Sequence, residues 1–288
     1  MKALVYRMGG LGDSILVYPV LEILKRKGYE ITVWGNPEYF RLAIESGFCK
    51  KATFYEPKEE FNLKIIFSQN KEILNSESSI YIKPIPTEKI WIVEHYLREL
   101  SFQNESFSRT LPIKNSIEKH RNLCIVHPGS GSKKKNPELS FFIKLEKILR
   151  NRGFKIQYLL GPAEKKLTGK FKNFLYMEDT LEIAKILFKA NLYIGLDSGI
   201  SHLSSFLGIP SIIIFGPTDP LVWHPIGENF FIIREENCPP CFPNVCEKRG
   251  CLNENLLIEK ISLILKKYIK LYLPFPRLSL QQSILLPF

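Results

Sequence analysis

Residues 191–220, NLYIGLDSGISHLSSFLGIPSIIIFGPTDP, constrain the fold more than any other part of the chain. Residues 192–196 are a short apolar run of the kind that forms a buried strand. Asp197-Ser198-Gly199 supplies a turn. Ser198 is suited to cap the helix that follows, and Ile200, Leu203 and Leu207 give that helix an apolar stripe. Gly208 and Pro210 stop it. Residues 211–215 form a second strand, ended by Gly216-Pro217-Thr218. Open α/β sheets hold phosphate at a helix start that follows the carboxyl end of a parallel strand. Gly199 permits close backbone approach there, and Asp197 and His202 bring a carboxylate and an imidazole to the same corner. An ordinary βαβ unit with a capping Ser, a structural Asp and a packed His fits the same residues, so the segment alone leaves both readings open.

The rest of the chain repeats this alternation. Residues 3–6 read as a strand, 16–27 as a helix stopped by Gly28, and 31–34 as a strand. A helix over 37–46 ends at Gly47. Strands follow at 51–55, 63–67 and 79–82, then a helix at 90–100. Polar, irregular residues 101–119 mark a domain boundary, after which the pattern restarts. It gives a strand at 123–127, a helix at 138–150, a strand at 156–160, a helix at 181–189 and a last amphipathic helix at 255–272. This predicts an α/β protein of two doubly wound, Rossmann-like domains, 1–118 and 119–272, facing across a cleft that holds the ligand. The first domain is small for its class and lacks an element. The tail, 273–288, has three prolines and many Leu, and no role follows from its sequence.

At 288 residues, 45% hydrophobic and 24% charged, the chain is long and apolar enough for a full core. The N-terminus MKALVYRMGG runs straight into a strand with no apolar leader, and no apolar run reaches the length of a membrane span. The expectation is a cytoplasmic protein, at most peripheral to a membrane. A net charge of +11 fits either a solvated helical surface or an anionic partner such as a phosphorylated lipid. Nucleic acid is not expected, because no basic run interleaves with aromatics. Four of the six cysteines, Cys238, Cys241, Cys246 and Cys251, cluster with a C-x2-C-x4-C-x4-C spacing. That spacing fits a small zinc knuckle or a loop of reduced or paired thiols.

Two further turns carry chemistry. Arg7-Met8-Gly9-Gly10-Leu11-Gly12-Asp13-Ser14 links the first strand to the first helix. Its glycines do not match the G-x-G-x-x-G dinucleotide fingerprint and no acidic residue ends the second strand, which argues against a dehydrogenase. Asp13 is placed either to stabilise the helix start or to act as a general base at the sheet edge. The second turn, His127-Pro128-Gly129-Ser130-Gly131-Ser132-Lys133-Lys134-Lys135-Asn136-Pro137, combines backbone donors, hydroxyls and positive charge. That combination suits a diphosphate without being a P-loop.

Taken in order, Met8 to Asp13, His127 to Pro137 and Asp197 to His202 resemble glycosyltransferase family 9, the ADP-heptose:lipopolysaccharide heptosyltransferases. Glu94-His95-Tyr96-Leu97-Arg98-Glu99-Leu100, Leu160-Gly161-Pro162, Phe215-Gly216-Pro217-Thr218 and the Cys-rich stretch extend the likeness. The resemblance implies a GT-B fold and an inverting transfer, without metal or other cofactor, from ADP-heptose to an inner-core sugar of lipopolysaccharide. It implies catalytic roles for Asp13 and Lys135. It implies donor binding by Gly12, Ser130, Gly131, Ser132, Lys134, Asp197, Ser198, Gly199 and His202. The partners implied are a nucleotide sugar and an anionic glycolipid acceptor at the inner-membrane surface. Relatives often carry Trp-Pro after the Lys, whereas Asn136 precedes Pro137 here, so the family Lys falls on Lys134 or Lys135. Another nucleotide sugar, a protein acceptor, or sugar-nucleotide binding without catalysis are the alternative readings.

Overall fold

The computed structural model describes residues 1–73, 79–244 and 247–272. The 273–288 tail and Cys246 lie outside them. The first half contains β1 (Lys2–Arg7), α1 (Leu11–Ile15), α2 (Tyr18–Arg26), β2 (Glu30–Gly35), α3 (Pro37–Glu45), β3 (Lys51–Thr53), β4 (Leu63–Phe67), β5 (Ser79–Ile82) and α4 (Ile92–Glu99). Its strands form one parallel sheet in the order β3-β2-β1-β4-β5. The second half contains β6 (Leu123–His127), α5 (Leu139–Asn151), β7 (Lys155–Leu160), β8 (Phe174–Tyr176), α6 (Thr180–Phe188) and β9 (Leu192–Leu196). It continues with α7 (Gly199–Phe206), β10 (Ser211–Ile214), α8 (Pro220–Trp223), β11 (Phe230–Ile233) and α9 (Glu254–Tyr272). These strands form a second parallel sheet, β11-β10-β9-β6-β7-β8, which is the doubly wound dinucleotide-fold order. The strand order reverses between β6 and β9. The loops leaving those two strands, 128–138 and 197–198, therefore flank the crevice where such sheets hold ligand.

The predicted helix over 16–27 is α2, Tyr18–Arg26, and a separate short helix, α1, precedes it at Leu11–Ile15. Pro19 has no N–H to donate to Ile15, so the ladder cannot run through it. The chain instead closes α1 with Leu16 N–H on Gly12 O (3.0 Å) and opens α2 with Pro19 in its first turn. The split turns the Gly10–Ile15 segment into a short, separate helix at the sheet edge, with Asp13 in its first turn.

The small size of the first half has a specific origin. Right-handed crossovers place the connections β3 to β4 and β4 to β5 on the sheet face opposite α2 and α3. Among the described residues those connections carry no helix. Phe61 of the 54–62 loop is buried, and Glu59 of that loop pairs with Lys2 (3.1 Å) and Lys51 (2.6 Å).

The two halves share one core. A single apolar cluster joins Val5, Val17, Tyr18 and Phe40 of the first half to Ile125, Leu187, Leu203 and Phe206 of the second. Tyr18 meets Phe206 edge-on at 6.2 Å. Contacts at the periphery add to it. Arg41 pairs with Asp179, and Trp91 stacks on His224 at 4.5 Å while its indole N–H donates to His224 O (2.8 Å). The connecting stretch after α4 lies along both halves, with Lys27 on Glu105 and Leu111 N–H on Phe206 O (2.8 Å). A second core, between α5, α9 and the second sheet, holds Phe141, Leu145, Leu196, Ile212, Leu257 and Ile261.

Candidate active site

Gly12 and Gly199 bring the starts of α1 and α7 together. A Cβ on Gly199 would lie 2.9 Å from Gly12 N and 2.7 Å from Leu11 Cβ, so only a glycine allows this approach. His202 sits in the same seam, where its Cδ2 would be 3.1 Å from a Cβ on Gly12. The turn bearing Asp13 and the turn bearing Asp197 thus meet at one seam between the two halves.

On the first-domain side, both Asp13 oxygens have partners. Oδ2 accepts from Gly10 N–H (2.9 Å), the helix-start role that any first-turn Asp can play. Oδ1 accepts from Arg7 Nη2 (2.7 Å). The Arg7 side chain is 6% exposed and that of Asp13 is 37% exposed, so the arginine is sunk in the fold while the carboxylate reaches the cleft. Each carboxylate oxygen keeps a lone pair for a substrate hydroxyl. Tyr96 of α4, stacked edge-on against Phe67 at 4.6 Å, lies within Coulombic reach of the Arg7–Asp13 pair.

On the second-domain side, Asp197 at the end of β9 is buried and accepts from two groups through Oδ2. These are Lys135 Nζ (2.7 Å) and Thr218 Oγ1 (2.7 Å). Its Oδ1 is 4.0 Å from His202 Nε2. Ser198 caps α7 by accepting from Ser201 N–H (3.4 Å), as its place in the sequence predicts. His202 is buried, its Nδ1 has no partner among the described residues, and burial pushes its pKa down to about 4 against the pull of Asp197 and Asp13. The ring is therefore neutral at pH 7.

The 128–138 loop separates the two candidate lysines. Lys135 turns inward to Asp197, whereas Lys134 donates outward to Pro243 O (3.3 Å). Ser130 is buried, and its Oγ lies 2.8 Å from Ser132 O and 2.7 Å from Asn136 Oδ1. A hydroxyl has one proton, so this Oγ ties the loop together from within. Ser132 opens the 3₁₀ turn Lys133–Lys135, and Gly131 has open space where a Cβ would stand. Among the described residues no three His, Cys, Asp or Glu side chains converge as a metal site requires. Cys238, Cys241 and Cys251 are among those residues, so the zinc-knuckle reading finds no support there.

Three residues emerge that the sequence reading left unassigned: Arg7, Thr218 and Glu164. Glu164 is buried after β7 and accepts from Gly161 N–H (3.0 Å). Gly129 makes room for it, since a Cβ there would stand 2.0 Å from Glu164 Oε1. An acid at the end of the second strand of a dinucleotide-type domain is where a ribose is read. The signal was present in Gly161-Pro162-Ala163-Glu164, a glycine followed three residues later by a glutamate.

The sequence profile of glycosyltransferase family 9 (heptosyltransferase) matches residues 88–251. The chain belongs to glycosyltransferase family 9. Lipopolysaccharide heptosyltransferase 1 of Escherichia coli K12 is 30% identical over 122 residues, 40% of this chain and 35% of that protein. The matched stretch thus spans about a third of the curated relative's length. Among solved structures, the family 9 glycosyl transferase of Veillonella parvula superposes with a TM-score of 0.74 at 14% identity, covering 92% of this chain and 97% of that one. Escherichia coli heptosyltransferase WaaC with ADP superposes with a TM-score of 0.69 at 14% identity, over 91% and 99%. These likenesses establish the fold of this family 9 chain as GT-B, two Rossmann-like domains facing across a cleft.

Proposed function

We propose that the chain is an inverting glycosyltransferase that moves heptose from ADP-heptose to an inner-core sugar of lipopolysaccharide without a metal. One observation carries this reading. The Gly12–Gly199 contact sets Asp13 on one side of a seam and the Lys135–Asp197 pair on the other, and His202 feels the charge of all three. Membership of family 9 and the ADP and ADP-2-deoxy-2-fluoro heptose named for structures of WaaC support the donor class.

In this mechanism Asp13 accepts the proton of the acceptor hydroxyl as that oxygen attacks the anomeric carbon. The bond from that carbon to the diphosphate oxygen breaks, and the electron pair leaves with ADP. Lys135 and the amides at the start of α7 stabilise the charge that gathers on the departing phosphate. Asp197 and Thr218 fix the Lys135 ammonium, and Glu164 takes the ribose hydroxyls. Arg7 holds the Asp13 carboxylate in the cleft. Ser130, Ser132 and Gly131 shape the loop around the diphosphate.

Among the described residues no helix is long and apolar enough to cross a membrane. The +11 charge supports a peripheral position on an anionic surface at the cytoplasmic face, where a phosphorylated glycolipid acceptor is reached. The test is release of the nucleoside diphosphate from each of a panel of nucleotide sugars, with heptose-free lipopolysaccharide as acceptor. Turnover confined to ADP-heptose is expected. Turnover with a different nucleotide sugar and none with ADP-heptose overturns the donor assignment, and no turnover with any donor overturns transfer to this acceptor.

A further inference from the structure

The Cys-rich stretch after β11 is bound to the donor side of the site at several points. Cys241 and Phe242 both donate their N–H to Pro217 O, at 2.8 and 3.0 Å. Pro217 precedes Thr218, the hydroxyl donor to Asp197. Arg249 Nη2 donates to Asn136 O (2.5 Å), and Pro243 O accepts from Lys134. The stretch is thereby joined to the loop that carries Lys135 and to the loop after β10 whose Thr218 donates to Asp197.

One side chain of this stretch reaches the pair itself. Phe242 is 42% exposed, with its backbone anchored on Pro217. Its ring lies over Lys135 Nζ, 5.0 Å from ring centroid to nitrogen. The negative face of an aromatic ring attracts an ammonium at this range. Lys135 thus has a carboxylate at 2.7 Å as one contact and a π-face as another. An ammonium has three N–H donors, and a ring face holds the charge without taking up a lone-pair acceptor site. The N–H directions turned neither to Asp197 nor to the ring are left for an incoming anion.

We infer that Phe242 is a positioning residue for the donor's diphosphate, acting through Lys135 by holding the ammonium at the mouth of the cleft. The inference rests on the donor-site reading of Lys135 given above. It predicts that the aromatic face matters and not apolar bulk, and that the effect is felt by the phosphates and not by the nucleoside.

The test is calorimetric binding of ADP to the full chain and to Phe242→Leu, Phe242→Tyr, Lys135→Ala and the Phe242→Leu/Lys135→Ala double variant. Phe242→Leu is expected to weaken ADP about three- to tenfold, the range of a partly exposed cation–π contact, and Phe242→Tyr to bind as the parent does. In the Lys135→Ala background, Phe242→Leu is expected to add no further loss, because the two residues act through one contact. Equal weakening by Phe242→Leu with and without Lys135 overturns the inference, since the ring then contacts the ligand on its own account. Unchanged ADP affinity in Phe242→Leu, with Lys135→Ala weakened, also overturns it and leaves the donor site standing. Unchanged affinity in Lys135→Ala overturns the donor-site reading and the inference together.

Discussion

Arg7 and Asp13 form an unequal pair: the guanidinium is buried, the carboxylate half-reaches solvent, and 2.7 Å separates Nη2 from Oδ1. Removing the carboxylate strands a buried charge, whereas replacing it by an amide keeps a hydrogen-bond acceptor in place. Asp13→Asn is therefore the cleaner probe of chemistry. It is expected to cut the transfer rate by about 10²–10⁴ with ADP affinity unchanged. Asp13→Ala is expected to lose the same activity and also on the order of 1 kcal/mol of stability, because the Arg7 and Gly10 donors lose their acceptor at a carboxylate that is partly screened by solvent. Initial rates, calorimetry and thermal denaturation of both variants separate the two effects. A fully active Asp13→Asn enzyme rules out the base assignment.

The neighbouring lysines are expected to behave differently. Lys135 faces Asp197 at 2.7 Å, and Lys134 faces Pro243 O at 3.3 Å. Loss of a charge-assisted contact to the diphosphate predicts roughly 10- to 100-fold weaker ADP binding for Lys135→Ala. Lys134→Ala is expected to stay within about twofold, the size of a distant, screened surface charge. Titration of ADP into each variant decides the register, and equal losses would show that both lysines reach the ligand.

Gly199→Ala places a methyl group 2.9 Å from Gly12 N, against backbone that has no flexible end to swing away. The expected cost is about 1–3 kcal/mol of stability, with a fall in kcat as the two turns are pushed apart. Gly131→Ala, with nothing within 4 Å, is the matched control and should melt with the parent. Comparable melting of the Gly199 and Gly131 variants would show that the seam is loose.

His202 makes stability depend on pH in a definite direction. Burial lowers its folded-state pKa to about 4 from an ordinary value near 6.5. Between those values the unfolded chain binds a proton that the folded chain refuses, so stability rises with pH. The contribution is complete above about pH 6.5 and declines as pH falls toward 4, by on the order of 3 kcal/mol at most. Burial lowers His224 as well, which adds a change of the same sign. Urea unfolding at pH 7 and pH 5 is expected to show a smaller pH difference in His202→Asn than in the parent. An equal difference would assign the acid sensitivity elsewhere.

The sequence made these strands legible because parallel strands are short segments dominated by apolar residues. Leu63–Phe67, Ser79–Ile82, Leu123–His127 and Leu192–Leu196 fall where those segments lie. The helix read at 16–27 is α2, which starts two residues later with Pro19 in its first turn, while the short helix α1 before it sits in a glycine-rich turn with too few apolar positions to show a helical period. The turns bearing Asp13, Lys135 and Asp197 were visible from glycine spacing and residue chemistry. Their partners were not. Arg7 is a charge at the end of an apolar strand, Thr218 lies twenty-one residues from Asp197, and nothing local marks either as a contact. Which of Lys134 and Lys135 points inward depends on the pitch of one 3₁₀ turn, a distinction that composition does not encode.

The core that runs unbroken from Val17 and Tyr18 to Leu203 and Phe206 bears on how the molecule comes apart. Two halves that bury apolar side chains in each other cannot swing on the 101–122 stretch as free bodies. That stretch is then a tether, and the cohesion resides in the interior. A protease that nicks it leaves two fragments that still travel together through a sizing column, and heat melts them in one transition.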